Sequence, residues 1–555
     1  MTETARHGRV ATTSRAASPS RLAAVAAGIA AVLLGAGVGE LVAALIAPTS
    51  SPFAVVGGAL IDLAPAWAKD TAIAWFGTND KTALLIGIGI VLLAVAAVAG
   101  LCEARWRHAG VIVLLVMGAG VGILSFTRPD AGLLSWLPSV LAGAVAAVAV
   151  RMLIGLAPAA ADARIDAAVA SVPTSSEPRA SGPIAAEGTA EGTAEGAATG
   201  PTRRRFLIWA GGTAVVGVAM AFAGSLARAG STVVTAARAA IRLPKPATPA
   251  SAIPAGAELD VPGLSPLVTP NDGFYRIDTA LIVPTVDPST WRLRVHGMVA
   301  NEVELTWDEL LALPLMETAV TLSCVSNPVG GDLVGNAVWL GYPIRELLAR
   351  AQPDADADMV LSTSVDGFTA GTPLEALTDD RDALLAIGMN GEPLPLEHGF
   401  PVRMVVPGLY GYVSATKWVT ELEVTRFDRA RAYWTDRGWS ARGPIKLQSR
   451  IDVPRTGANV SAGDVVIAGV AWQPGSGVAG VEVQVDDGPW RSAELASAIS
   501  DDTWVQWRIP WRAESGEHVL RCRALSADGK PQTEASAPPA PDGATGWHAV
   551  SITAS

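Results

Sequence analysis

Three cysteines occur among 555 residues: Cys102, Cys324 and Cys522. Cys324 is the one whose setting suits chemistry. It follows the apolar stretch 318–322 and opens the turn Cys324-Val325-Ser326-Asn327-Pro328-Val329-Gly330-Gly331. A solitary cysteine entering such a turn is poor material for a disulfide and well placed for a thiolate that reaches a metal or a substrate. The alternative is a small, inert, buried hydrophobe. That alternative describes Cys522, which shares one strand face with Leu520 and Ala524 while Arg521 and Arg523 point outward. The elements that must position Cys324 lie in a chain that divides into a membrane half and a water-soluble half.

Apolar stretches cover 22–47, 82–101, 109–127 and 133–156. Each is roughly the 20 residues that cross about 30 Å of hydrocarbon as a helix. This predicts a cytoplasmic N-terminus over 1–21 and a four-span region over 22–156. The segment 52–76 is apolar but broken by Asp62, Pro65, Lys69 and Asp70, and reads as an interfacial or re-entrant element. Arg6, Arg9, Arg15, Arg21, Arg105, Arg107, His108 and Arg151 lie on one side of the spans; Lys69, Lys81 and Arg128 lie on the other. The positive-inside rule puts both ends of the four-span unit in the cytoplasm. Glu40, inside the first span, is either a proton or ligand site or a polar group that faces a helix partner or snorkels outward.

Residues 157–201 read as a flexible cytoplasmic linker, with the small repeat Glu187-Gly188-Thr189-Ala190-Glu191-Gly192-Thr193 and no apolar face to bury. Thr202-Arg203-Arg204-Arg205-Phe206-Leu207 then precedes an apolar run to about residue 229. This is either a plain fifth span or a twin-arginine export signal, over 202–230, retained as an anchor. Four preceding spans return the chain to the side where such a signal must begin. All that follows would face out of the cytoplasm, making the protein a multi-pass cell-membrane protein with an extracytoplasmic catalytic domain.

Residues 231–264 form a Pro/Ala-rich tether, and the pattern is globular from 265. Strands are expected at 291–295, 360–365 and 403–406. Helices are expected at 306–313, with Thr306 and Glu309 as a capping box, and at 342–351. The mixture is α+β without a βαβ rhythm. From 444 to 555 short strands recur, with Val481, Val483 and Val485 alternating before Asp487-Gly488, as in an antiparallel immunoglobulin-like β-sandwich.

Over 265–555 the chain resembles the sulfite oxidase family of molybdenum enzymes. The resemblance rests on Cys324-Val325-Ser326-Asn327, on Trp339-Leu340-Gly341-Tyr342-Pro343-Ile344, and on Met389-Asn390-Gly391-Glu392-Pro393-Leu394-Pro395. It continues through His398-Gly399-Phe400-Pro401-Val402-Arg403 to Lys417-Trp418 and Gly546-Trp547-His548. It implies a multi-domain protein: an α-helical transmembrane bundle, an α+β molybdopterin-binding domain over 265–443, and a dimerisation-type domain over 444–555. It further implies a molybdenum–molybdopterin cofactor with Cys324 as sole protein ligand to the metal. The matched positions His398, Arg403 and Lys417 would bind the cofactor through cations and donors, Asp366 as acceptor, and Ala415 and Thr416 through backbone or hydroxyl. Asp272, Phe274, Tyr275 and Arg276 would form an aromatic cofactor loop.

Two departures bear on the substrate. Ile387 stands where sulfite-oxidising members carry a tyrosine, and Pro328 follows the Cys-x-x-Asn where they carry arginine. Sulfite needs donors to replace its hydration. The expected reaction is therefore oxygen-atom transfer on a small neutral S- or N-containing substrate. Tyr410, Tyr412 and Arg442 are candidate pocket residues. The alternatives are sulfite oxidation proper and a non-catalytic, membrane-displayed binding protein. A b-type haem needs two axial histidines and the spans offer only His108, so no haem and a separate electron-transfer partner are expected. The formal charge of −11 excludes nucleic acid; membrane lipid and a second copy of the chain are the other expected partners.

Overall fold

The computed structural model describes residues 19–65, 68, 71, 75, 80–128, 131–158, 203–229 and 232–555. Arg6, Arg9, Arg15, Lys69 and the expected linker beyond residue 158 lie outside these. The chain forms two compact units, one of residues 1–63 and 79–230 and one of 64–78 and 231–555.

The first unit is helical: α1 (Arg21–Ile46), α2 (Pro52–Leu63), α3 (Asp80–Arg105), α4 (Ala109–Leu124), α5 (Leu137–Leu156) and α6 (Arg203–Ala229). Among the described residues five helices are long and apolar enough to cross a membrane; α2, at 12 residues, is not. Small residues let the backbones approach. A Cβ on Gly28 would overlap the carbonyl of Ala96, one on Gly35 that of Ala142, and one on Gly37 that of Gly217. The last contact seats α6 against α1.

Among the described residues, the two buried carboxylates of this unit cap the helix that follows their own. Glu40 of α1 accepts from Ser51 Oγ at 2.7 Å and from the Phe53 amide at 3.3 Å, where α2 begins. Glu103 of α3 accepts from the His108 and Val111 amides at 3.4 and 3.2 Å, where α4 begins, and meets Arg151 at 3.4 Å. Helix N-termini carry orphan N–H groups and partial positive charge, so an acceptor from a neighbouring helix replaces the missing water. Of the two readings of Glu40, the structure therefore shows the inward-facing polar group. Glu40→Ala removes the shared acceptor, which costs about 1–3 kcal/mol. The expected result is a lower unfolding temperature in detergent for Glu40→Ala than for Glu40→Gln; equal temperatures would contradict the capping role.

The second unit is built on four sheets. One is ordered β2 (Val303–Thr306), β1 (Arg292–Gly297), β10 (Val419–Thr425), β5 (Met359–Ser364), β6 (Thr369–Pro373). The next is ordered β3 (Met316–Ser323), β4 (Val334–Pro343), β7 (Leu384–Met389), β8 (Glu392–Pro393), with β9 (Arg403–Val405) also on β7. The helices α8 (Trp307–Ala312) and α9 (Ile344–Ala351) cover them, α8 behind the expected Thr306–Glu309 capping box. The β-rich C-terminal region has two further sheets. One comprises β11 (Gln448–Val453), β13 (Gly463–Trp472), β17 (Val505–Ala513) and β16 (Glu494–Leu495). The other comprises β12 (Asn459–Val460), β19 (His548–Ala554), β18 (Gly516–Ser526), β14 (Val478–Val485) and β15 (Arg491–Ser492). Ile467, Trp507 and Ile509 from one sheet share a core with Val483, Leu520 and Cys522 from the other.

The described part of the expected tether, 232–264, makes contacts along much of its length. Helix α7 (Thr232–Ala240) buries Val234 among Phe274, Val320 and Trp339. Arg238 of α7 donates to the Leu394 and Pro393 carbonyls at 2.8 and 2.6 Å. The Ala247 amide donates to Leu315 O at 2.7 Å and Glu317 N to Thr248 O at 2.8 Å, along the edge strand β3. Extended Pro-rich chain has free carbonyls, and an edge strand has free amides.

Candidate active site

Strand β3 ends at Ser323 and delivers Cys324 into the turn. The Cys324 amide donates to Leu333 O at 2.9 Å, Asn327 N to Cys324 O at 3.1 Å, and Leu333 N to Asn327 Oδ1 at 2.9 Å. The loop is thus closed on itself, and Asn327 is its internal staple. Cys324 is 8% exposed, with Sγ 2.9 Å from Ser326 Oγ. Burial pushes its thiol up, while the Ser326 hydrogen bond and the Lys417 charge pull it down. A bound metal would take the place of the proton.

Beside it stands a buried polar cluster. Strand β9 pairs with β7, Arg403 facing Ala386. Arg403 is 4% exposed, and its hydrogen-bond partners among the described residues are carbonyls: Met404 at 3.3 Å, His398 at 3.2 Å and Ala415 at 3.5 Å. Its guanidinium also lies 5.1 Å from the Trp339 ring centre. Burial pulls it down to about 10. Lys417 donates to Asp278 Oδ2 at 3.0 Å and Glu397 O at 2.9 Å; burial pulls it down to about 8 against the upward pull of Asp278. His398, 2% exposed, meets Asn271 O at 3.1 Å through Nε2. A carbonyl only accepts, so Nε2 carries the proton and Nδ1 is an acceptor. Among the described residues Nδ1 is buried without a hydrogen-bond partner, as is Ser364 Oγ at the end of β5.

Phe274 stacks on Tyr275 at 5.2 Å and meets the His398 and Trp339 rings edge-on at 5.7 and 5.8 Å. Tyr275 is raised by burial and by the charge of Cys324, and lowered by Arg403, so it lies within the field of both. Thr416 Oγ1 bonds Ser362 Oγ at 2.7 Å inside the protein. Asp366 accepts from the Phe368 amide at 3.2 Å and from Thr279 Oγ1 at 3.5 Å. Cys324, Phe274, Tyr275, His398, Arg403, Ala415 and Lys417 are therefore brought together, with Asp366 linked through the 278–279 segment. Asp272 is exposed, and Arg276, partly exposed, pairs with Asp278 at 2.9 Å. Tyr410 is buried and pushed up to about 12 by burial, with Cys324 adding to it. Tyr412 donates to Ser440 O at 2.7 Å, and Arg442 lies at the surface, 3.4 Å from Glu375. Ile387 is a core residue of β7.

The Oxidoreductase molybdopterin binding domain family matches residues 280–434. Sulfite oxidase of Arabidopsis thaliana is 30% identical over 300 residues, covering 44% of this chain and 76% of the plant protein. The chain belongs to the sulfite oxidase family. Mitochondrial sulfite oxidase of Mus musculus is 32% identical over 323 residues, 49% of this chain; the match spans 58% of the mouse protein's length. Among solved structures, the sulfane dehydrogenase SoxCD from Paracoccus pantotrophus superposes on 48% of this chain and 74% of that chain at 23% identity, with a TM-score of 0.44.

The cofactor implied for a sulfite oxidase family member fits these residues. A buried guanidinium facing only carbonyls calls for an anion, such as the phosphate of a pterin cofactor. The unpartnered His398 Nδ1 calls for a donor, which pterin rings carry. Sequence reasoning missed Asp278 and Asn271, which hold Lys417 and His398; neither residue has a local signal. It also missed the brace supplied by the C-terminal region. Arg450 of β11 donates to Gly331 O at 2.8 Å, and a Cβ on Gly330 would overlap the His548 ring of β19. The Trp504 amide donates to Thr321 Oγ1 at 2.7 Å, and Thr321 N to Asp502 O at 2.9 Å. In this family member the Cys324 loop is held on both flanks by the sandwich sheets.

Burial and the Lys417 and Arg403 charges lower His398 to about 4 from its ordinary 6.5. A lowered folded value means that the unfolded chain binds the proton first. Stability is therefore full above pH about 6.5 and is lost as pH falls through about 4, by roughly 3 kcal/mol at most. Unfolding measured from pH 7 to 4 should show this slope, reduced in His398→Gln; an unchanged slope in the variant would assign it elsewhere.

Proposed function

We propose that this protein is a membrane-anchored molybdenum-cofactor oxidoreductase. It transfers an oxygen atom to or from a small neutral S- or N-containing substrate outside the cytoplasm. The observation that carries this reading is the buried Arg403 guanidinium, without a carboxylate, in the same cluster as Cys324 and the unpartnered His398 Nδ1. Bound, the cofactor supplies a two-electron centre that can accept or release oxygen. Cys324 ligates its metal, Arg403 and Lys417 hold its phosphate, and His398 Nδ1 and Asp366 accept from its ring donors. Phe274 and Tyr275 wall it, with Ala415 and Thr416 alongside and Asp272 and Arg276 at the rim. Burial of Cys324 and His398 excludes water from the ligand side.

The neutral-substrate reading rests on Ile387 and Pro328, neither of which offers a donor. Sulfite itself is the second reading, favoured by the names of the relatives. The arginines flanking α1, α3, α5 and α6 support cytoplasmic termini for the bundle, twin-arginine export of the loaded domain, and α6 retained against α1. Further parts of the proposal are a separate electron-transfer protein, no haem, and an immunoglobulin-like C-terminal region that pairs two copies. Elemental analysis of the purified chain, followed by turnover with sulfite, methionine sulfoxide and nitrate, tests the reading. One molybdenum per chain and preference for the sulfoxide are expected. Absence of molybdenum from protein made in a cofactor-competent host overturns the assignment, and faster turnover of sulfite overturns the neutral preference.

A further inference from the structure

Among the described residues Asp278 is the carboxylate that pairs with the cluster cations: its side chain is 6% exposed, and it lies 3.0 Å from Lys417 Nζ and 2.9 Å from Arg276 Nε. Arg276 adds a second contact, from Nη2 to Oδ1, at 3.4 Å. Lys417, deep in the site, and Arg276, 38% exposed at its rim, are thus bridged by one acid. Arg403 has no carboxylate partner among the described residues.

We infer that Asp278 is an internal counter-ion that sets this site against anionic substrates. The inference deepens the neutral-substrate reading of the proposed function and rests on it. An oxyanion leaving water needs close cations or donors to replace its hydration. The cation nearest the rim, Arg276, is already held through two contacts, and Lys417 spends a further donor on the Glu397 carbonyl at 2.9 Å. An incoming oxyanion must compete with a carboxylate tethered in place, whose effective concentration far exceeds that of a free ion. It must also leave that buried carboxylate with one cation fewer, which adds to the cost. A neutral S- or N-oxide makes neither demand. One carboxylate offsets one of the two bridged charges, and the proposed cofactor phosphate takes up the other through Lys417, so Arg276 offers an oxyanion little attraction at the rim.

The test uses the full-length, cofactor-loaded chain in detergent, with sulfate as a non-reacting probe whose binding is measured by calorimetry. Asp278→Asn keeps the shape and removes the charge. Its sulfate affinity should rise by about threefold to fivefold, since an ion pair with a cation more than a third exposed is worth up to about 1 kcal/mol. The gain should disappear in the double variant Asp278→Asn/Arg276→Gln. Unchanged sulfate affinity in Asp278→Asn, or a gain that survives loss of Arg276, overturns the inference. If Asp278→Asn does not retain its cofactor, Arg276→Gln alone decides. With Arg276 already neutralised, sulfate affinity should move by less than about twofold, and a tenfold fall overturns the inference. The two readings separate cleanly. Sulfite as the preferred substrate together with the expected gain in Asp278→Asn sinks only the proposed substrate. A sulfoxide preference with no gain sinks only the role of Asp278.

Discussion

Cys324→Ser should abolish molybdenum-dependent turnover while leaving the fold in place. The substitution is nearly isosteric, and a serine hydroxyl can keep the 2.9 Å contact with Ser326 Oγ. The loop is closed by backbone and Asn327 bonds that do not involve the sulfur, and Arg450 and His548 hold it from the C-terminal region. The expected change in stability is therefore small, about 1 kcal/mol or less. A hydroxyl is a far weaker ligand for a soft metal than a thiolate. Altering groups that merely support a metal ligand costs about 10–100-fold, so losing the ligand itself should exceed that. Turnover per chain, molybdenum content and unfolding temperature measured together make the point. An inactive variant with native stability is the expected result. Activity within tenfold of the unaltered protein would remove the metal-ligand assignment and return Cys324 to the inert class of Cys522, which burial pushes up to about 12.

Arg403→Met should move stability and cofactor retention in opposite directions. In the cofactor-free chain the guanidinium is a buried charge met by carbonyls and by the Trp339 ring 5.1 Å away. Replacing a buried charge with a flexible apolar chain of similar length is neutral or stabilising, by about 1–4 kcal/mol. With the cofactor bound the sign reverses. A charge-assisted hydrogen bond to phosphate contributes about 1.5–3 kcal/mol, so retention should fall by at least about tenfold. Thermal unfolding of cofactor-free and cofactor-loaded preparations reads both effects. The loaded protein should lose most of the stabilisation that ligand binding confers. A variant destabilised equally in both states would make Arg403 a structural residue, and the anion site would have to be sought elsewhere.

These expectations depend on contacts of very different sequence range, and that range decides what could be read in advance. The Thr306–Glu309 capping box spans three residues and was legible, as was the alternation Val481, Val483, Val485 that makes β14. Turn chemistry marked Asp487-Gly488, where the Gly488 amide closes back on Val485 O at 3.0 Å. Length and apolarity alone marked the helices that can cross a membrane. Cys324 stood out because its turn, the Trp339–Ile344 stretch and the His398–Arg403 stretch occur in one order around it.

What the sequence by itself determined, then, is the inventory: where the long apolar helices fall, which cysteine enters a turn, and which cations follow it in the chain. What only the tertiary structure decided is how these charges are partnered. Asp278 and Lys417 are 139 positions apart, Asn271 and His398 are 127 apart, and Gly331 and Arg450 are 119 apart. Glu40 became a helix cap, and the segment after α6 became a docked strap, through contacts with no local signature. The physical reason is the same in each case. Periodicity and turn residues report the backbone conformation that each residue prefers locally. The balance of charge in a buried site depends on which strands register side by side, and that is settled only when the core closes around them.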